Sequence, residues 1–192
     1  IILSIRDSRI DNLIIFTPHH FKMKKHNGMR PHDVAVLLKI SSMKSSDWLM
    51  KDLAPTLGIS AGEISESLNR SVYAGLISDD KKTVMKEALL EFLENGLKYA
   101  FPQRPGETTR GVPTSFSAPP LNQLVSSMEP VVWPLPEGKV RGQAIQPLYP
   151  GVPKSCLKDP SLYELLALTD ALRIGKAREK KLATTELRKR IC

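Results

Sequence analysis

The chain has 192 residues, a formal net charge of +8 and a pI near 9.5, above the value of about 9 that points towards a nucleic-acid partner. That length suits one domain, or one with an appendage, and can bury a core. No apolar run approaches the roughly 20 residues that span a bilayer, which argues against a membrane protein. Cys156 and Cys192 are too few and too distant for a disulfide framework, and they fit a reducing cytoplasm.

Residues 1–28 read as a poorly ordered N-terminal extension translated from an upstream start. The chain opens on Ile1, and Met29 begins the first segment with domain character. The patch Leu13-Ile14-Ile15-Phe16 is too short for a signal-peptide core with a cleavage site, and His19, His20 and a basic run follow it. From Pro31 the pattern turns helical: Val34, Leu37, Leu38 and Ser41 recur at three and four, predicting a helix over His32 to Ser41. A polar loop from Ser42 leads to Asp47, the expected N-cap of a helix from Trp48 to Leu57 with Leu49, Leu53 and Leu57 on one face. Gly58 stops it. A second helix opens at Ser60 and runs to about Gly75, with Ser60 and Glu63 matching a capping box.

Leu76-Ile77-Ser78 and Thr83-Val84-Met85 bracket a short charged turn and predict a hairpin. Lys86 to Tyr99 reads as another helix, with Leu89, Leu90, Phe92, Leu93 and Leu97 inward. Between Pro102 and Pro160 fall twelve of the fifteen prolines, which excludes regular helix over most of the stretch. Its interspersed apolar residues, Trp133 among them, distinguish it from a disordered linker and suggest an extended arm packed on the protein or a partner, with a short hairpin at Glu137-Gly138. Asp159 or Ser161 then caps a leucine-rich helix ending near Gly175, and a basic helix runs from Lys176 to Ile191. The expected fold is mainly α: a winged helix-turn-helix over 29–100, a proline-rich extended arm over 101–160 and two C-terminal helices over 161–192.

Projected at about 100° per residue, Ile64, Leu68, Val72 and Gly75 form the packed face of the helix after Gly58. Gly62, Glu63, Glu66, Asn69, Arg70 and Tyr73 point away. Two helices joined in this way can present the second to the DNA major groove. Asn69 and Arg70 are the candidate base-edge or phosphate contacts, since Asn makes two hydrogen bonds to adenine and Arg two to guanine. Ser60, Ser65 and the backbone at Gly62 are candidates for the phosphates, and Lys81 and Lys82 at the hairpin tip for the minor groove or its phosphates. Against this, Glu63 and Glu66 put carboxylates on the same face, and winged-helix domains also dock proteins. The basic last helix could bind phosphates or lay long side chains over apolar surface.

No catalytic or cofactor motif is present. His19, His20, His26 and His32 lack a cysteine or carboxylate at metal-binding spacing, and Glu164 and Asp170 read as a solvated helix face. Neither an enzyme nor a cofactor is expected.

The segment WLMKDLAPTLGISAGEISESLNRSVYAGLI at 48–77, with the wing sequence ISDDKKTV, resembles the winged helix-turn-helix of MarR-type bacterial transcriptional regulators over residues 30–99. The resemblance implies double-stranded DNA binding by Ala61–Ala74 through Ser60, Ser65, Asn69 and Arg70, with the wing at Lys81 and Lys82. It also implies a homodimer joined through terminal helices, here 161–191. The proline-dense block departs from the family. It is similar to that of small MarR-like bacterial proteins partnered by a toxin-like or nucleotidyltransferase-like enzyme. The leading expectation is a cytoplasmic dimeric repressor; the alternative is a protein-interaction module or antitoxin-like neutraliser whose arm wraps a partner.

Overall fold

A computed structural model describes residues 28–43, 47–125 and 129–192. The expected extension through residue 27, with His19, His20 and His26, lies outside the described residues. The chain is helix-rich with one small three-stranded sheet.

Helix α1 (Pro31–Ser42) starts on a proline, which has the required φ and no amide to leave unpaired. The Arg30 amide donates to Asp33 Oδ2 at 2.7 Å. Val34, Ala35, Val36, Leu37 and Leu38 are all fully buried, so α1 is a central helix rather than a one-faced one. Helix α2 (Met50–Leu57) begins two residues later than Trp48, and Asp47 does not cap it; the Leu49 amide donates instead to Asp52 Oδ2 at 3.3 Å. Trp48 is buried ahead of the helix and Leu49, expected on the packed face, is exposed. Gly58 sits at φ 65°, where glycine carries no Cβ penalty. The chain then turns into α3 (Ala61–Tyr73).

After α3 a single bridge, Ile77 to Val84, closes a short hairpin. The expected helix over Lys86 to Tyr99 is present but not uniform. It comprises α4 (Lys86–Glu91), a π-helical turn over Phe92–Gly96, and α5 (Leu97–Ala100). A Cβ on Gly96 would lie 2.9 Å from the Phe92 ring.

The proline-dense segment is no free arm. It builds β1 (Thr108–Pro113), β2 (Val131–Pro134) and β3 (Val140–Ala144), closed into a small barrel. The hairpin expected at Glu137-Gly138 does not form, because β2 and β3 run parallel and each pairs antiparallel with β1. The strands approach so closely that a Cβ on Gly111 would meet the Trp133 carbonyl oxygen at 2.0 Å. Val112, Leu121, Val131, Trp133 and Ile145 join the same hydrophobic core as the helices.

After α6 (Val152–Cys156), α7 (Pro160–Ile174) runs through the middle of that core. Asp159 caps it by accepting from the Leu162 amide at 3.0 Å, and the Lys39–Asp159 ion pair at 2.7 Å ties it to α1. Every residue from Leu165 to Leu172 is buried, so α7 finds its apolar partners within its own chain. Helix α8 (Ala177–Ile191) packs along α7.

Asp170 departs furthest from expectation. It is fully buried rather than solvated. Its Oδ2 accepts from Thr114 Oγ1 at 2.9 Å and Trp133 Nε1 at 2.6 Å, and its Oδ1 from Arg173 at 2.7 Å. Arg173 also donates to the carbonyls of Phe101 and Gln146. Burial pushes the Asp170 carboxyl up, while the Arg173 charge and the three hydrogen bonds pull it down. Glu164 is half-buried and pairs with Arg190 at 2.7 Å.

Removing one member of a buried ion pair leaves an uncompensated charge, at a cost of about 3–5 kcal/mol. Asp170→Ala should therefore destabilise by about that amount in urea melts, and Asp170→Asn by less. A loss of less than about 0.5 kcal/mol for the alanine variant, the scale of ordinary surface substitutions, would show that Asp170 does not anchor the sheet.

Candidate nucleic-acid interface

Helix α3 begins at Ser60, whose hydroxyl accepts from the Glu63 amide at 3.2 Å. Glu63 does not reach back to complete the capping box. Its Oε1 instead accepts from Arg70 at 2.7 Å and Arg30 at 3.2 Å, and lies 2.8 Å from His32 Nε2. The buried side of α3 is Ile64, Ser67, Leu68, Arg70 and Ser71. It keeps Ile64 and Leu68 of the expected line, with Val72 half-buried against the core and Gly75 exposed, and widens to Ser67, Arg70 and Ser71 because α3 packs against α1 as well as α2. Small serines permit that approach, and Ser71 Oγ returns its hydrogen bond to the Ser67 carbonyl at 2.8 Å.

Arg70 is the main correction. It was expected to face DNA, and it is only 7 % exposed. Its Nε donates to Asp33 Oδ2 at 2.8 Å and its Nη2 to Asp33 Oδ1 at 2.7 Å, the two-pronged geometry in which guanidinium binds carboxylate best. Its hydrogen bonds to Asp33, opposed by burial and reinforced by Glu63, hold the guanidinium firmly protonated. The Arg70 hydrogen bond is also the main reason that the Glu63 carboxyl lies below its ordinary value of 4.5; burial opposes it and His32 assists. Arg70 thus bolts α3 to α1 and cannot reach a base edge without breaking a buried pair.

The hairpin lysines divide. Lys82 Nζ donates to the Trp48 carbonyl at 2.6 Å and lies 4.6 Å from the Trp48 ring centre, folding the hairpin onto the approach to α2 rather than projecting from it. Lys81 stands at the tip in the left-handed region, φ 61°, and is half-buried.

What remains on the open side of α3 is Gly62, Glu66, Asn69 and Tyr73, all exposed, with Ser65 half-buried beside them. Asn69 has no hydrogen-bond partner among the described residues, and a Cβ on Gly62 would meet nothing within 4 Å. The expected residues Gly62, Ser65 and Asn69 therefore share one polar strip, from which Arg70 and Lys82 are withdrawn, while Ser60 caps the start of the helix. Glu66 is its only charge. On α8, the basic residues near the C-terminus are committed: Arg188 to Glu87 and Glu94, Lys189 to Glu186, and Arg190 to Glu164 and Glu186. Arg178, Lys180 and Lys181 have no ion pair among the described residues.

Compared with family models, curated proteins and solved structures, the chain matches none.

Two outcomes follow from the α1–α3 bolt. Arg70→Ala should destabilise by about 3–5 kcal/mol in urea melts, and Arg70→Lys should not restore stability, since an ammonium cannot make the two-pronged contact. A fully stable Arg70→Ala would refute the bolt. Glu63 ionises more readily folded than unfolded, so its contribution is complete above its ordinary value and is lost as pH falls through the lower folded value. The stability difference between wild type and Glu63→Gln should be present at neutral pH and close below 4.5; a pH-independent difference would contradict the arrangement.

Proposed function

We propose that the chain is a DNA-binding transcriptional regulator, a repressor, in which α2, the Gly58 turn and α3 act as a helix-turn-helix and the hairpin after α3 as its wing, in the manner of MarR-type regulators. The observation that carries this reading is the strip Gly62, Ser65, Asn69 and Tyr73: polar, solvent-facing and mounted on a helix whose opposite side is locked by Arg70 and Asp33.

In this reading Asn69 makes the base-edge contact, for which its side-chain carbonyl and amide suit adenine. Gly62 lets the α3 backbone come close to phosphate, with Ser65 and the Ser60 end of the helix alongside. Lys81 serves as the wing contact, and Arg70 supports the helix. The reading places the protein in the cytoplasm, as a homodimer on a two-fold operator, with no catalytic step and no cofactor. With α7 occupied inside the chain, the pairing of copies falls to other surfaces. No described helix is long and apolar enough to cross a membrane. A partner-wrapping arm has less to recommend it, because most of the apolar side chains that suggested it, Trp133 among them, are used in the core, with Leu124 left exposed.

The test is binding to duplex DNA from upstream of the protein's own gene at two salt concentrations. Asn69→Ala should weaken binding by about 1–3 kcal/mol and leave the urea midpoint unchanged. Gly62→Ala should stabilise the fold by about 0.5–1 kcal/mol, as alanine does in helices, and yet weaken binding by crowding the backbone. No binding even at low salt, or wild-type affinity in both variants, would sink the reading.

A further inference from the structure

On the barrel, Arg110 of β1 lies directly opposite Arg141 of β3, with Thr108 opposite Gln143 one step along the same face. Directly opposed residues of an antiparallel pair stand side by side, and like charges there are destabilising. Both arginines are exposed, and neither has an ion-pair partner among the described residues. Side chains alternate along a strand, so Lys139, two residues before Arg141 and also exposed, adds charge towards the same side, while Glu107, next to Thr108, falls on the other; the parallel β2–β3 register brings one carboxylate, Glu129, level with Arg141, against three cations. Carboxylates meet Arg30, Arg70, Arg173, Arg188 and Arg190; among the arginines without an ion pair in the described residues, Arg110 and Arg141 are the two that the strand register sets directly opposite each other.

We infer that the Arg110–Arg141 face of the barrel is a phosphate clamp that holds the nucleic-acid backbone while α3 meets the bases. The inference rests on the DNA-binding reading above and supplies what that reading lacks. The strip on α3 carries Glu66 and no cation, whereas backbone affinity comes from neutralised phosphates. Guanidinium is the side chain suited to a phosphate oxygen pair, and Thr108 and Gln143 are neutral donors at either arginine's side. The opposition of charge costs stability in the free protein and is relieved when an anion sits between the forks.

The test uses the full chain with a short random-sequence duplex, the matching single strand, and mixed phosphatidylserine–phosphatidylcholine vesicles. Arg110→Gln/Arg141→Gln should weaken duplex binding equally on every sequence and lower the slope of log affinity against log salt by about 0.9, the value of one phosphate. Its melting temperature should equal or exceed that of wild type, because a repulsion has been removed; this separates lost binding from lost folding. Wild-type affinity and slope in the double variant would overturn the clamp and leave the α3 reading standing. Arginine-dependent binding to the single strand alone would keep the clamp and defeat the α3 reading. Absence of binding to either nucleic acid defeats both, and arginine-dependent capture of vesicles instead of nucleic acid overturns the clamp.

Discussion

A single buried carboxylate joins the two structural styles of this chain. Asp170 sits on the central helix α7 and receives Thr114, Trp133 and Arg173 at once. Through Thr114 and Trp133 it holds the barrel; through Arg173 it reaches the carbonyls that flank the barrel segment, Phe101 and Gln146. A segment so rich in proline cannot satisfy its own backbone with helical hydrogen bonds, so its place is fixed by side chains from elsewhere. Tyr163 of α7 does the same on a smaller scale, donating to the Pro113 carbonyl at 2.7 Å beside the Trp133 ring.

The Asp33–Arg70 pair plays the equivalent role at the other end of the molecule. It fixes α3 against α1 with charge as well as with apolar burial, so the helix has one locked side and one open side. The open side is polar but poor in cations. Under the proposed DNA-binding function, positional selectivity and electrostatic affinity would come from different parts of the chain: Asn69 and its neighbours for the first, the arginines of the barrel for the second. In the proposed reading, a helix-turn-helix with Glu66 outward draws its backbone affinity from the barrel.

Much of the helical framework was legible in the sequence. Periodic leucines marked α1, α7 and the helix after the hairpin. Gly58 marked the turn, Ser60 the start of α3, and Asp159 the start of α7. The misreadings share a cause. A single helical wheel for α3 assumes one packing partner, and two helices pack on it, so Arg70 and Glu63 fall outward on the wheel although their partners, Asp33 and His32, lie more than thirty residues upstream. Asp170 is hidden in the same way: its i+3 partner Arg173 would suit a solvated helix face equally well, and the two donors that mark it as buried, Trp133 and Thr114, lie 37 and 56 residues away. The barrel was invisible because proline-dense strands with glycine crossings lack the alternation by which strands are recognised, and Lys82 turned inward onto Trp48 for reasons that only the folded hairpin supplies.

The central claim is that α3 keeps Arg70 inside while its open strip and the barrel arginines meet nucleic acid. Amide and guanidinium NMR spectra recorded while duplex DNA is titrated into the full chain test it most directly. Shifts are expected at Gly62, Ser65, Asn69, Arg110 and Arg141, with the Arg70 Nε–H signal unmoved and protected from solvent exchange. Shifts at Arg70 with loss of that protection, or a duplex that leaves both α3 and the barrel unperturbed, would contradict it.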